Sequence, residues 1–333
     1  MERPNNFNTL LDLRNLNIWY ATEKGESKAV NGLSVSIERN EIFGLAGESG
    51  CGKSTLINGI MRLIKLPGHI QGGEAIFFHT KEVGKIEPVD LLTLSKEEMR
   101  QLRWKNISYI PQSAMNVLNP VLKIEGQIMD AVRTHSSLSK KEAQERIGEQ
   151  LEMVGLSRKV AHMYPHELSG GMKQRVTIAA AIVLRPDLLI ADEPTTALDV
   201  NVQRVILQEL MEIRAELGLT ILYVTHDMAV HAQLADRIGI MYAGLIVEVG
   251  LTNDILQEPL HPYTQALVEA IPDIGGERRR IEGLSGAVPS PLAWPTGCPF
   301  HPRCKHVLPV CRETRPELRS YTSGRQVACH LYQ

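Results

Sequence analysis

A chain of 333 residues is long enough for one large domain with an appendage or for two medium domains, and 43% apolar with 22% charged residues excludes disorder and fibrous repeats. A formal net charge of -2 and a pI near 6.6 give no global attraction for nucleic acid, which would need a local basic patch. The longest apolar run, near Ile178 to Leu184, falls far short of the roughly 20 residues that cross a bilayer, and Met1 to Leu10 lacks the pattern of an export signal, so a cytosolic chain is expected.

Leu11 to Ile18 and Ala29 to Ile37 alternate apolar and polar residues around a turn at Glu23-Lys24-Gly25, which predicts an antiparallel β arm. Glu41 to Gly47 reads as a short buried strand, and a helix is expected from about Lys53 to Ile64 because Leu56, Ile60 and Leu63 recur at helical spacing. Between them lies Gly47-Glu48-Ser49-Gly50-Cys51-Gly52-Lys53-Ser54, a match to G-x-x-x-x-G-K-[ST] in the context that pattern requires. Such a loop wraps phosphates with backbone N–H groups at a helix start, while Lys53 supplies a point charge and Ser54 a ligand for Mg²⁺. Thr55 continues the first turn of this nucleotide-binding set. A glycine-rich connection with a chance Lys-Ser explains the letters but not the flanking elements. Cys51 sits where the loop tolerates any residue and is structurally neutral.

A polar helix is expected from Ser95 to Arg103 and a strand from Ile107 to Ile110, followed by a mostly helical stretch from about Pro120 to Leu184. Inside it, Leu168-Ser169-Gly170-Gly171 opens a helix with Ser169 as N-cap. Two glycines there weaken a helix and so need another reason, such as exposing backbone to a second phosphate. Leu188 to Ala191 and Thr220 to Val224 read as strands flanking a helix from roughly Val200 to Leu217, a βαβ unit with parallel strands. The first of them ends in Asp192 and Glu193. Consecutive side chains at a strand end diverge, so Asp192 can serve Mg²⁺ while Glu193 orients and deprotonates water. Alone, that pair is as easily a solvated strand end. Arg237 to Gly250 predicts a hairpin turning at Ala243-Gly244, and beyond Pro259 the chain becomes proline-rich.

The phosphate loop, the Leu-Ser-Gly-Gly run and the Ala-Asp-Glu-Pro strand end occur together and in one order, and the sequence thereby resembles the ABC ATPase family from about Leu11 to Pro259. The fold this implies is α/β: a P-loop NTPase core with an antiparallel β arm and a helical subdomain (about 113–185) in a nucleotide-binding domain of residues 1–258, plus a small C-terminal metal-binding lobe, 259–333. The resemblance also implies roles by position. Tyr20 stacks on adenine; Gln112 serves the Mg²⁺ site beside Ser54 and Asp192 and links it to the membrane partner; Asp199 crosses between protomers; His226 contacts the γ-phosphate. In that family two cassettes face head to tail, so Ser169, Gly170 and Gly171 of one chain complete the ATP site of the other.

A narrower resemblance, to ATPases of oligopeptide and dipeptide importers, rests on Leu118-Asn119-Pro120, His261-Pro262-Tyr263-Thr264, Cys298-Pro299-Phe300, Arg303-Cys304, Cys311 and Cys329-His330-Leu331. It implies an ATP-hydrolysing subunit on the cytoplasmic face of the membrane. The implied partners are a second ATPase chain, identical or related, two permease subunits, and through them an extracytoplasmic solute-binding protein. A soluble ABC ATPase of DNA repair or translation is the alternative, but coiled-coil arms, tandem cassettes and an extensive basic face are not seen.

Of five cysteines, four cluster at the C-terminus with five, six and seventeen residues between them, which matches neither a zinc ribbon nor a common ferredoxin run. Spacing therefore identifies no metal, although in a reducing compartment such a cluster favours metal over disulfides. The importer resemblance implies a [4Fe-4S] cluster on Cys298, Cys304, Cys311 and Cys329. Zinc, or unligated thiols, remain open on the residues alone, as does a redox gate on the ATPase. Glu277 to Gln333 holds nine Lys or Arg against four Glu. That excess could touch nucleic acid or lipid headgroups, or simply offset the charge of ligating thiolates.

Overall fold

The computed structural model describes residues 8–82, 85–112, 117–196, 198–271, 286–322 and 324–333. A central sheet is built on β3 (Ile42–Ala46), β6 (Ile107–Ile110), β7 (Leu188–Asp192), β8 (Thr220–Val224), β9 (Arg237–Tyr242), β10 (Leu245–Leu251), β11 (Arg319–Thr322) and β12 (Arg325–Val327), in the order β11-β12-β10-β9-β3-β8-β7-β6. The five strands from β9 to β6 run parallel, and the β9–β10 hairpin reverses direction. Strands β3, β7 and β8 are buried along their whole length, as parallel strands covered on both faces must be.

Side-chain alternation divides these strands between two cores. Leu189, Ala191, Ile221 and Tyr223 pack under the helices, whereas Leu188, Ile190, Leu222 and Val224 pack against the β arm. The helical side carries α3 (Ile124–His135), α4 (Lys140–Met153), α5 (Gly170–Ile182) and α6 (Val200–Leu217). Their ends follow capping chemistry. Ser139 and Glu142 form a capping box on α4, Asp199 caps α6, and Gly218 ends α6 in the left-handed region at φ 63.

The arm is a second, antiparallel sheet in the order β2-β1-β4-β5, from β1 (Thr9–Thr22), β2 (Gly25–Glu38), β4 (Gly68–Glu82) and β5 (Lys85–Asp90). The β1–β2 hairpin is the one expected from alternation. Strands β4 and β5 fill a stretch that carries no clear strand signal in the sequence, because Gly72 and Gly73 interrupt the alternation and the β1–β4 register shifts beside them. The helix after the glycine loop, α1 (Lys53–Ile60), is shorter than its periodicity suggests. Arg62 has φ 53, and its guanidinium donates to the carbonyls of Leu91, Leu92 and Leu94 at 3.0, 2.8 and 3.0 Å. These bonds take the chain out of the helix and into the arm.

The proline-rich C-terminal segment joins the central sheet, because β12 pairs with β10. Glu248, with no exposed surface, accepts from the backbone N–H groups of Leu260 and His261, both at 2.9 Å. It also accepts from Arg325 at 3.1 Å, which binds Glu258 O as well. After α8 (Thr252–Gln257), α9 (Pro262–Glu269) begins at His261-Pro262 as expected, with His261 accepting from the Tyr263 N–H at 3.0 Å. Tyr263 and Phe300 then pack on Tyr242 of β9 with ring centroids 4.6 and 5.2 Å away. Contacts to the arm fasten the lobe further: Trp294 Nε1 donates to Lys28 O at 2.9 Å and Arg315 to Asn31 O at 2.6 Å.

Candidate nucleotide site

The loop from Gly47 to Gly52 leaves β3 and enters α1, and two of its glycines sit where no side chain fits. A Cβ at Gly47 (φ 153) would lie 2.2 Å from Met241 O, and one at Gly52 (φ 110) would lie 2.3 Å from Ala29 O. Strands β9 and β2 therefore press on the loop from within and hold its backbone. Its crest, Ser49 and Gly50, is exposed, as is Ser54, while Thr55 is half-buried. No side chain caps α1, whose N-cap is Gly52, so its first N–H groups stay open to an anion. Lys53 folds back over the loop and donates to Gly47 O at 2.6 Å and Glu48 O at 3.1 Å. Cys51 lies beneath, 3.8 Å from the Lys53 ammonium, and burial pushes its thiol pKa up, which leaves it neutral.

Across the sheet, β7 delivers Asp192 next to Ser54, which hydrogen-bonds it. Burial raises the Asp192 pKa and the charge of Glu193 adds to this, outweighing the Ser54 bond, the Lys53 charge and the Tyr109 bond. Tyr109 is itself pushed up to about 12, first by burial and then by the Asp192 charge. A half-desolvated carboxylate and a hydroxyl at a helix start form a hard oxygen pair of the kind Mg²⁺ selects.

Glu193 lies one residue beyond β7 in a left-handed conformation, φ 46, with its N–H bonded to Val224 O at 2.8 Å. Its carboxylate gathers three side chains that sequence places far apart. Gln112 donates to Oε2 at 3.1 Å, Thr196 Oγ1 donates to Oε2 at 3.1 Å, and His226 Nδ1 lies 2.8 Å from Oε1. Burial opposes its charge, but the bond and charge of His226, the Thr196 hydroxyl and Lys53 prevail, and the pKa is held below the ordinary glutamate value. Gln112 and His226 are singled out in the sequence only through the family resemblance; Thr196 is not, since one hydroxyl in a loop carries no sequence signal.

The second glycine-rich helix start lies elsewhere. Ser169 caps α5, accepting from the Met172 N–H at 3.3 Å, and Gly171 faces Val202 of α6, where a Cβ would come within 3.0 Å. The hollow there, about 300 Å³, is lined by α5 and α6 residues and by none from the 47–54 loop of the same chain. Asp199 accepts from the Val202 N–H at 3.0 Å, so its carboxylate has a local capping duty. Tyr20, half-buried on β1, lies against Gly68 of β4, where a Cβ would meet its ring at 2.6 Å.

Cys298, Cys311 and Cys329 are buried, Cys304 is half-buried, and all four are unpaired. Burial, with the charges of the other cysteines, pushes Cys298 and Cys329 up to about 11. Among the described residues, however, no group of three or more His, Cys, Asp or Glu is placed to hold a metal ion. Thiols are suitable donors for a thiolate-ligated centre, but ligand geometry is absent among those residues, so the expected metal-binding character of this lobe is not shown.

The sequence profile described as ABC transporter matches residues 30–196, and that described as the C-terminal region of oligopeptide/dipeptide transporters matches residues 247–311. The chain belongs to the ABC transporter family. It is similar to the dipeptide transport ATP-binding protein DppD of Haemophilus influenzae, 42% identical over 96% of this chain and 95% of that one. It is also similar to the oligopeptide transport ATP-binding protein AppD of Bacillus subtilis, 41% identical over 98% and 97% of the two chains. OppD of Salmonella typhimurium is 40% identical over 98% and 95%. Among solved structures, the dimeric MJ0796 bacterial ABC transporter cassette is 28% identical and covers 73% of this chain and 99% of that one, with a TM-score of 0.62. A second structure of that cassette, a dimer in a post-hydrolysis state bound to ADP and Pi, matches equally. As a member of this family the present chain is an ATPase. No helix among its described residues is long and apolar enough to cross a membrane.

Proposed function

We propose that this chain is the ATP-hydrolysing subunit of an importer for dipeptides or oligopeptides, acting in a pair of such chains on the cytoplasmic face of separate permease subunits, with a solute-binding protein beyond the membrane. The observation that carries the reading is the convergence of Gln112, Thr196 and His226 on the Glu193 carboxylate, beside Asp192 and Ser54. Named relatives of similar length supply the cargo class.

In this reading the Lys53 ammonium exchanges the loop carbonyls for phosphate oxygens when ATP enters, and the open N–H groups of α1 hold the rest. Ser54 and Asp192, with Gln112, would hold Mg²⁺, which when bound would supply positive charge to the phosphates. Glu193 takes the proton of the water that attacks the γ-phosphorus, His226 holds that carboxylate and the developing charge, and ADP leaves with the bond electrons. The α5 start, with Ser169, Gly170 and Gly171, sits apart from the loop of its own chain, which supports its use by a partner's ATP, with Asp199 at the crossing. Residues 1–258 form the nucleotide-binding domain and 259–333 the importer-type lobe. Tyr20 provides the adenine platform: Tyr20→Ala should weaken ATP binding by about 1–2 kcal/mol, the scale of one base on one aromatic ring. Unchanged affinity in a nucleotide titration would remove Tyr20 from the site.

The deciding experiment reconstitutes the chain with its permease in vesicles. Peptide delivered by the binding protein should stimulate ATP hydrolysis, and Lys53→Ala should abolish it. Stimulation by DNA or ribosomes instead would overturn the importer reading. We further assign Cys298, Cys304, Cys311 and Cys329 to a [4Fe-4S] cluster, supported by four unpaired thiols in a small lobe. Iron and acid-labile sulfide in anaerobically purified protein measure this directly, and stoichiometric zinc would replace it.

A further inference from the structure

The lobe that carries the cysteines reaches into the phosphate loop at one residue, Glu48. Its carboxylate accepts two bonds from Arg303, at 2.7 and 3.1 Å, and its backbone N–H donates to the Tyr263 hydroxyl at 2.8 Å. The Arg303 side chain is only 3% exposed. The bond to Glu48 raises its pKa above the ordinary value against the cost of burial, and its guanidinium lies 5.9 Å from the Tyr242 ring. Bidentate, shielded pairs of this kind are both strong and geometrically specific.

We propose that Arg303 and Tyr263 are positioning residues for the ATPase reaction: they hold Glu48 so that the phosphate loop keeps its binding geometry, and so couple the cysteine lobe to the nucleotide site. The inference rests on the reading of residues 47–54 as the ATP phosphate site. Three observations carry it. Glu48 is the second residue of the loop, and its own carbonyl accepts from Lys53 at 3.1 Å, so the residue held by the lobe is bonded to the lysine that must meet the phosphates. Arg303 ends the short turn His301–Arg303, which lies between Cys298 and Cys304 and is closed by bonds of 3.0 Å from Arg303 N to Phe300 O and from His301 N to Cys298 O. The guanidinium is thereby carried by the same bonded segment that carries both cysteines. Finally, Glu48 is a negative charge beside a site for an anion. Arg303 neutralises it, and without that partner the carboxylate would repel ATP as well as release the loop.

A purely architectural ion pair would fasten the lobe without touching nucleotide binding, and kinetics separate the two. Arg303→Met should raise the KM for ATP about tenfold or more while kcat in the assembled transporter stays within about twofold, because ground-state phosphate binding is what the loop geometry serves. Arg303→Lys, which restores charge but not the fork, should fall between. The double variant Arg303→Met/Glu48→Gln, with the repelling charge gone, should recover a large part of the loss. Tyr263→Phe removes one hydroxyl from an intact ring stack and should raise KM by about threefold in a protein that still folds; it carries the test if Arg303→Met does not fold. KM values within twofold of wild type in folded variants, or a double variant no better than Arg303→Met, would overturn the proposal. Failure of the wild-type transporter to hydrolyse ATP at all would instead strike the parent reading, so the two failures are distinguishable.

Discussion

Glu193→Gln should bind Mg-ATP with close to wild-type affinity and hydrolyse it about 10²–10⁴-fold more slowly, the range assigned to a positioned general base. The amide is isosteric and can still meet Gln112 and Thr196, so the fold around β7 is unaffected. What it loses is the capacity to accept a proton. In the parent chain that capacity is protected: His226 at 2.8 Å and the Thr196 hydroxyl at 3.1 Å hold the carboxyl ionised against its partial burial. Its pKa is held below the ordinary glutamate value by His226 and Thr196, while burial shifts that of Asp192 upward, so the two adjacent carboxylates are driven in opposite directions by their surroundings. With hydrolysis blocked, ATP should accumulate in a closed pair of chains, seen as a shift in sedimentation on adding nucleotide. Turnover within tenfold of wild type would remove Glu193 as the base, and a variant that stayed monomeric at saturating Mg-ATP would undercut the shared site.

Much of this site is legible in the sequence because its signals are local. The loop from Gly47 to Ser54 and the Asp192-Glu193 pair each combine an apolar strand with a chemically specific end, and β6, β7, β8 and the α6 crossover fall where short, mainly apolar runs and helical spacing place them. The β9–β10 hairpin is equally plain from Ala243-Gly244, where both residues take positive φ, 54 and 78. Strands β4 and β5 are not, since glycine and charge dilute their period. The sheet's extension by β12 depends on Glu248 and Arg325, 77 residues apart, and the hold on the phosphate loop depends on Glu48 and Arg303, 255 residues apart. Long-range pairs between single charged residues leave no pattern in one sequence. The cysteines are visible as donors, yet their spacing names no metal, and burial of the thiols does not name one either.

Arg325→Met should destabilise the fold by about 3–5 kcal/mol, the cost of stranding one partner of a buried ion pair. Glu248 is fully buried, and with Arg325 gone its carboxylate is left, among the described residues, with the Leu260 and His261 N–H groups. The side chains of Arg325 and Glu248 are 7% and 0% exposed, whereas the neighbouring pair Arg319–Glu317 is 61% and 75% exposed. Arg319→Met should accordingly cost less than about 1 kcal/mol and serves as the control. Adding Glu248→Gln to Arg325→Met should restore part of the loss, because a neutral amide tolerates burial better than an unpaired carboxylate. Thermal melts with a probe on Trp294, whose indole bonds Lys28 O at 2.9 Å, would report release of the lobe from the arm. If Arg325→Met and Arg319→Met melted alike, the Glu248 pair would not be what holds β12 on the sheet. A lobe released in this way would also withdraw Arg303 from Glu48, so the melting defect should be accompanied by a raised KM for ATP below the transition, linking the sheet edge to the nucleotide site through residues on one continuous path.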